Sequence, residues 1–155
     1  MDWLESGMKE ENYCQKIIKQ EDLIESVAGA LQFISYYHPA DFIQAMDQAY
    51  QREQNPAARD AIAQILINSR MCAEGQRPIC QDTGIVTVFL KVGMNVQWQA
   101  DMSVTDMCNE GIRQAYMNPD NVLRASILED PDGVRKNTGD NTPGVIHYEI
   151  VPGDT

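Results

Sequence analysis

The sequence runs to 155 residues, 43% hydrophobic and 23% charged, and its 12 Lys and Arg against 23 Asp and Glu leave a net charge of −11. That length suffices for one domain with its own core. The charge excludes proteins that track nucleic-acid phosphates or an anionic membrane by long-range attraction, so any anionic ligand needs a local cationic pocket. No stretch approaches the roughly 18 apolar residues of a membrane span. Residues 1–12 hold four acids, one Lys and no apolar block, which predicts no secretory signal and a cytoplasmic location.

Helices come first. Leu23, Ile24, Val27, Leu31 and Ile34 recur at helical spacing, opening after Asp22 and ending before His38-Pro39. Phe42, Ile43, Met46, Ala49 and Tyr50 predict a second helix. Asn55-Pro56 is a restart signal, because Asn caps well and Pro suits the first turn. The third helix carries Ile62, Ile65, Leu66 and Met71 and is expected to stop at Gly75 in a left-handed conformation.

The period then changes. Ile85-Val86-Thr87-Val88-Phe89-Leu90 is apolar on both faces and predicts a buried strand. Ser103 and Asp106 form a capping-box pattern before a helix whose stripe is Val104, Met107, Cys108, Gly111, Ile112, Ala115 and Tyr116. Residues 130–143 are rich in Asp, Asn, Gly, Thr and Pro and predict a long loop. Within it Asn137, Thr138, Asp140, Asn141 and Thr142 are suited to a self-hydrogen-bonded turn. Residues 145–151 predict a further strand, followed by Pro152-Gly153-Asp154, a turn that would hand the chain to a partner strand. The expected fold is α/β with α+β character: a helical N-terminal half, then a mixed sheet with a covering helix, in an incomplete domain.

Cysteines stand at 14, 72, 80 and 108 with no Cys-x-x-Cys pair, and His38 and His147 are the only histidines. Free thiols are expected, not a disulfide framework, and a zinc site lacks its paired ligands. Cys72 and Cys108 fall on apolar helix faces and are assigned to packing; Cys14 is expected to be an exposed bystander. His38 marks a turn, His147 the face of a strand, and the methionines are expected as scattered core fillers.

The densest chemistry lies in Arg77-Pro78-Ile79-Cys80-Gln81-Asp82-Thr83-Gly84, between a helix stop and a strand. Pro78 stiffens the approach and Gly84 permits a tight exit. The connection therefore displays a thiol, an amide, a carboxylate and a hydroxyl. Composition alone leaves a functional loop and a capped turn both open.

This stretch, preceded by Ile67-Asn-Ser-Arg-Met-Cys-Ala-Glu-Gly75, resembles the N-terminal part of the iron–sulfur (class I) fumarate hydratases. Tyr36-Tyr37-His38-Pro39, Asn121-Val-Leu-Arg-Ala125 and Lys136-Asn-Thr-Gly-Asp-Asn-Thr-Pro143 support the resemblance. It implies that residues 1–18 are a variable acidic lead and 19–155 the N-terminal part of a hydro-lyase catalytic domain, cut short at its C-terminal end. It also implies a 4Fe–4S cluster held by three cysteines, with Cys80 the first and the others beyond this sequence. By the same resemblance Gln81, Asp82 and Arg124 bind substrate, Asp82 being the catalytic proton carrier and Arg124 the carboxylate clamp. The expected reaction interconverts (S)-malate and fumarate, a step of the tricarboxylic acid cycle. The expected partners are the small dicarboxylate and either a missing C-terminal part or a beta subunit, in a homodimer or heterotetramer. The alternatives are an L-tartrate or methylated-fumarate dehydratase of the same family, and a non-catalytic helical module or thiol sensor.

Overall fold

The computed structural model describes residues 16–79 and 84–154. After a short strand β1 (Ile17–Lys19) come three helices, α1 (Gln20–Tyr36), α2 (Ala40–Arg52) and α3 (Pro56–Gly75). Two strands follow, β2 (Thr87–Gly93) and β3 (Gln97–Gln99), then α4 (Val104–Tyr116). The chain finishes with a two-residue ribbon, β4 (Leu128–Glu129) and β5 (Lys136–Asn137), and strand β6 (Val145–Val151). The α/β class expected from the sequence is observed, with helices leading.

Local chemistry explains most boundaries. α1 opens three residues earlier than the apolar pattern suggested, because Asp22 sits in its first turn and accepts the Lys19 N–H at 3.2 Å. Asn55 caps α3, its Oδ1 accepting from Ala57 N at 2.9 Å and Ala58 N at 3.4 Å, with Pro56 in the first turn. Ser103 caps α4, accepting from Asp106 N at 3.1 Å while its hydroxyl donates to the Asp106 carboxylate at 2.6 Å. The left-handed residue after α3 is Gln76 (φ 47°), not Gly75, which stays helical. One further residue of helix is kept at a cost of roughly 1–2 kcal/mol for a left-handed side chain.

The strands form three two-stranded ladders. β1 pairs parallel with β3, β2 parallel with β6, and β4 antiparallel with β5. Thr87 stands opposite Val145 and Gly93 opposite Val151. α1 and α4 cover one face of β2–β6. There Val27, Val86, Cys108, Ile112, Ala115, Tyr116 and Leu123 form the core, with Leu23, Leu31, Val88, Leu90 and Ile146 packed at its edge. The predicted α4 stripe is the buried face of the helix, Met107, Cys108 and Ile112 being wholly inaccessible.

Three expectations need correction. The strand over Ile85 to Leu90 begins two residues later and is covered on one face only: Val88, Leu90 and Val92 turn inward, while Phe89 is 77% exposed and stacks on His147. An apolar run reports hydrophobicity on both faces but not whether two layers are present to cover them. On α3 the buried residues are Ser69 and Cys72, and Ile65 and Met71 face outward. Met71, Met94 and Met117 are all more than half exposed, so they are not core fillers.

The α2–α3 hairpin is tied to the end of α1 through His38. Its Nδ1 lies 3.0 Å from Ser69 Oγ, and its ring stacks on Phe42. This is the turn role expected of His38.

Candidate active site

Cys80, Gln81, Asp82 and Thr83 lie outside the described residues, as does Cys14. Their flanks are well defined. Ile79 is buried and donates its N–H to Ser35 O at 2.7 Å, fixing the approach to the end of α1. Just upstream, Arg77 N donates to Cys72 O at 3.0 Å, and the Cys72 thiol points to Pro78 O at 3.5 Å. On the exit side Gly84 takes a left-handed φ of 59°, the conformation glycine adopts without strain. Its carbonyl accepts from Ser126 Oγ at 3.1 Å and from Asn141 Nδ2 at 3.4 Å.

Both flanks border one cleft of about 420 Å³. Pro78 and Ile79 line it from one side, Ile85, Val86 and Thr87 from the other, and Arg124 lies on its wall. Leu123, buried in the core, anchors the segment that carries Arg124. The guanidinium is exposed, and among the described residues no carboxylate pairs with it. The fold thus brings Arg124 to the same cleft as Ile79 and Ile85, some forty residues earlier in the sequence.

The 136–143 loop is hydrogen-bonded to the residues that follow Arg124, Asn137 to Ala125 and Asn141 to Ser126 and Ile127. Parts of it are the local turns expected: Asn137 Oδ1 accepts from Gly139 N at 2.8 Å, and Asp140 Oδ1 accepts from Thr142 N at 3.0 Å and Thr142 Oγ1 at 2.8 Å. Asn141 departs from that pattern. With no exposure and φ 60°, it accepts from Ser126 N at 2.7 Å and Ile127 N at 3.2 Å. Sequence reasoning assigned it no role of its own. The signal was an Asn where the chain needs a positive φ, a position that favours Asn among non-glycine residues.

Asp140 is held by α4. Arg113 Nε donates to its Oδ2 at 3.1 Å, and Arg113 also pairs with Glu110. Burial lifts the Asp140 carboxyl, but the hydrogen bonds from Thr142 and Arg113 and the Arg113 charge outweigh it and hold the group below the usual carboxylate range. The hydrogen bond to Asp140 raises the Arg113 guanidinium in turn. Cys108 is buried, and that burial alone pushes its thiol up.

Among the described residues no group of three or more His, Cys, Asp or Glu side chains gathers to hold a metal. Cys72 and Cys108 are both buried free thiols, packed where the sequence put them. The described residues therefore do not form a cluster cage by themselves. Within the described residues no helix is long and apolar enough to cross a membrane.

Over 109 residues, 69% of this chain and 38% of its own length, a Methanocaldococcus jannaschii protein provisionally named as an L(+)-tartrate dehydratase alpha subunit is 30% identical. L(+)-tartrate dehydratase alpha subunits of Escherichia coli and Shigella sonnei are 29% and 28% identical over 147 residues, covering 94% of this chain and 46% of theirs. The chain spans less than half the length of these relatives. Residues 24–155 match the fumarate hydratase (Fumerase) family model, which takes in all but the first turn of α1, every later element and both flanks of the cleft, and the chain belongs to that family.

Proposed function

We propose that this chain supplies part of the catalytic domain of a hydro-lyase that reversibly dehydrates a four-carbon 2-hydroxy dicarboxylate, (S)-malate to fumarate. The observation that carries the reading is the shared cleft, which is lined both by Arg124, unpaired among the described residues, and by the flanks of a Cys-Gln-Asp-Thr segment. Planar guanidinium groups bind carboxylates through two parallel hydrogen bonds. Arg124 is accordingly assigned to one substrate carboxylate, giving a strongly acidic chain the local cation that a dianion needs.

The reaction removes a proton from the carbon beside one carboxylate and breaks the C–O bond on the neighbouring carbon. The electron pair of the C–H bond becomes the double bond, and the hydroxyl departs and is released as water. Asp82 is assigned the proton, and Gln81 a hydrogen bond that orients the substrate. Cys80 is assigned as one of three thiolate ligands of a 4Fe–4S cluster, the others coming from polypeptide that completes the protein. When bound, such a cluster supplies a Lewis-acidic iron for the leaving hydroxyl. The chain spans less than half of relatives that are named as alpha subunits, which supports a missing C-terminal part or a beta subunit as the completing partner.

A second reading, L-tartrate as substrate, draws on the printed names of the relatives. The two share every residue assigned here and differ by one hydroxyl on the substrate. Anaerobic reconstitution of the completed protein with iron and sulfide, followed by kcat/KM for malate, fumarate and tartrate, separates them. Preference for malate and fumarate supports the first reading and preference for tartrate the second. Bound cluster without turnover of any of the three overturns both.

A further inference from the structure

We infer that Asn141 is a positioning residue: its carboxamide locks the segment that follows Arg124 to Gly84, and so holds Arg124 in register with the exit flank of the cleft. The functional sense of this lock rests on the hydro-lyase reading above; the lock itself rests on geometry. Asn141 Oδ1 accepts two backbone N–H groups, Ser126 at 2.7 Å and Ile127 at 3.2 Å, which occupies both of its lone pairs. Those donors fix which end of the amide is oxygen and turn Nδ2 toward Gly84 O, 3.4 Å away. Ser126 Oγ closes the triangle on the same carbonyl at 3.1 Å. One side chain thus bridges the residue after Thr83 and the two residues just beyond Ala125.

The position demands this residue type. The side chain must accept and donate at once, which a carboxylate cannot do, and φ 60° excludes branched side chains. The frame around it is itself anchored. Asp140 is held by Arg113, Asn137 Nδ2 donates to Ala125 O at 2.8 Å, and Gly144 N donates to Asn109 Oδ1 of α4 at 2.9 Å. Asn141 therefore has little freedom to move, and neither do the segments it joins. A misplacement of about 1 Å between reacting groups can cost on the order of a hundredfold in rate. A fixed bridge between the Arg124 segment and Gly84 is therefore worth a buried amide.

The test uses the assembled protein, with Asn141→Gly, Asn141→Asp and Ser126→Ala. Asn141→Gly tolerates the positive φ but removes the bridge. Amide hydrogen exchange at Ser126 and Ile127 should rise, and the Gly84 carbonyl resonance should shift. Asn141→Asp keeps the two accepted bonds and loses the donated one, so Ser126 and Ile127 should stay protected while the Gly84 resonance shifts. On malate, Asn141→Gly should lower kcat by roughly 10- to 100-fold, with KM raised less. Ser126→Ala, which carries little folding risk, should shift the Gly84 resonance and lower kcat in the same direction but less. Unchanged exchange at Ser126 and Ile127 and an unmoved Gly84 resonance in these variants would overturn the lock. A broken lock with kcat and KM within about twofold of wild type would overturn the positioning role. If the wild-type protein turns over no dicarboxylate, the hydro-lyase reading and the positioning role fall together, and exchange and resonance still judge the lock.

Discussion

Gly111 of α4 lies so close to Val27 of α1 that a Cβ placed on it would stand 2.8 Å from the Val27 Cβ and 2.7 Å from the Ile24 carbonyl oxygen. The missing side chain is what lets the two helices meet over the β2–β6 ladder.

Gly111→Ala should therefore destabilise the protein although alanine is the better helix former. Overpacking against backbone costs about 1–3 kcal/mol, against a propensity gain of about 1 kcal/mol. The expected net is a loss of about 0–2 kcal/mol, centred near 1 kcal/mol and read from denaturant midpoints at unchanged slope. A raised midpoint would mean that α1 and α4 separate at no cost.

Asp140 makes stability depend on pH with a definite sign. Its carboxyl is depressed in the folded state, so it contributes stability above the unfolded carboxylate range, near 3.9, and loses it as pH falls through the lower folded value. Asp140→Asn should lower stability at neutral pH by about 1 kcal/mol, modest because Arg113 is partly exposed. The gap between wild type and variant should close on acidification. A gap that persists well below the carboxylate range would mean that the lost contribution is steric, not ionic.

Cys72 and Cys108 should resist alkylation in the native protein and react once it is unfolded. Both are buried, and burial keeps the Cys108 thiol protonated, which lowers its nucleophilicity further. Mass spectrometry after brief iodoacetamide treatment counts the modified thiols. Rapid native labelling at either position would contradict its assignment to packing and reopen it as a cluster ligand. Cys72→Ala should likewise leave the iron content of the completed protein unchanged.

On the proposed roles, Asp82→Asn and Arg124→Lys in the completed protein should fail differently. Removing the carboxylate assigned to the proton should cost mainly kcat, by about 10²–10⁴-fold. Lysine keeps the charge but loses the two-pronged geometry, so Arg124→Lys should mainly raise KM, by about tenfold or more. Steady-state kinetics on malate decide it, and equal losses of kcat and KM in both variants would refute this division of labour.

What could be read from the sequence depended on whether the decisive interaction was local. The α4 stripe was legible because an amphipathic helix carries its own period, and its buried face is the stripe itself. The Asn55 cap was legible because its partners lie two and three residues away. The exposed faces of β2 and α3 were not, since burial there depends on which layers the chain supplies and not on the segment's own residues. Arg124 entered through a family motif, whereas Asn141 could not be separated from the self-bonded turn around it. Its partners Gly84 and Ser126 are distant in sequence, and only the fold brings them together.

The parallel register of Thr87 with Val145 bears on how the chain is made. β2 leaves the ribosome long before its partner exists, and α4 and the 130–143 loop must be synthesised in between. At roughly 5–20 residues per second, the interval lasts on the order of seconds. During it Val88, Leu90 and Phe89 present an apolar, unpaired edge to other nascent chains. The ladder at the centre of this fold therefore closes only once β6 has been made, and its apolar strand spends that interval without a partner.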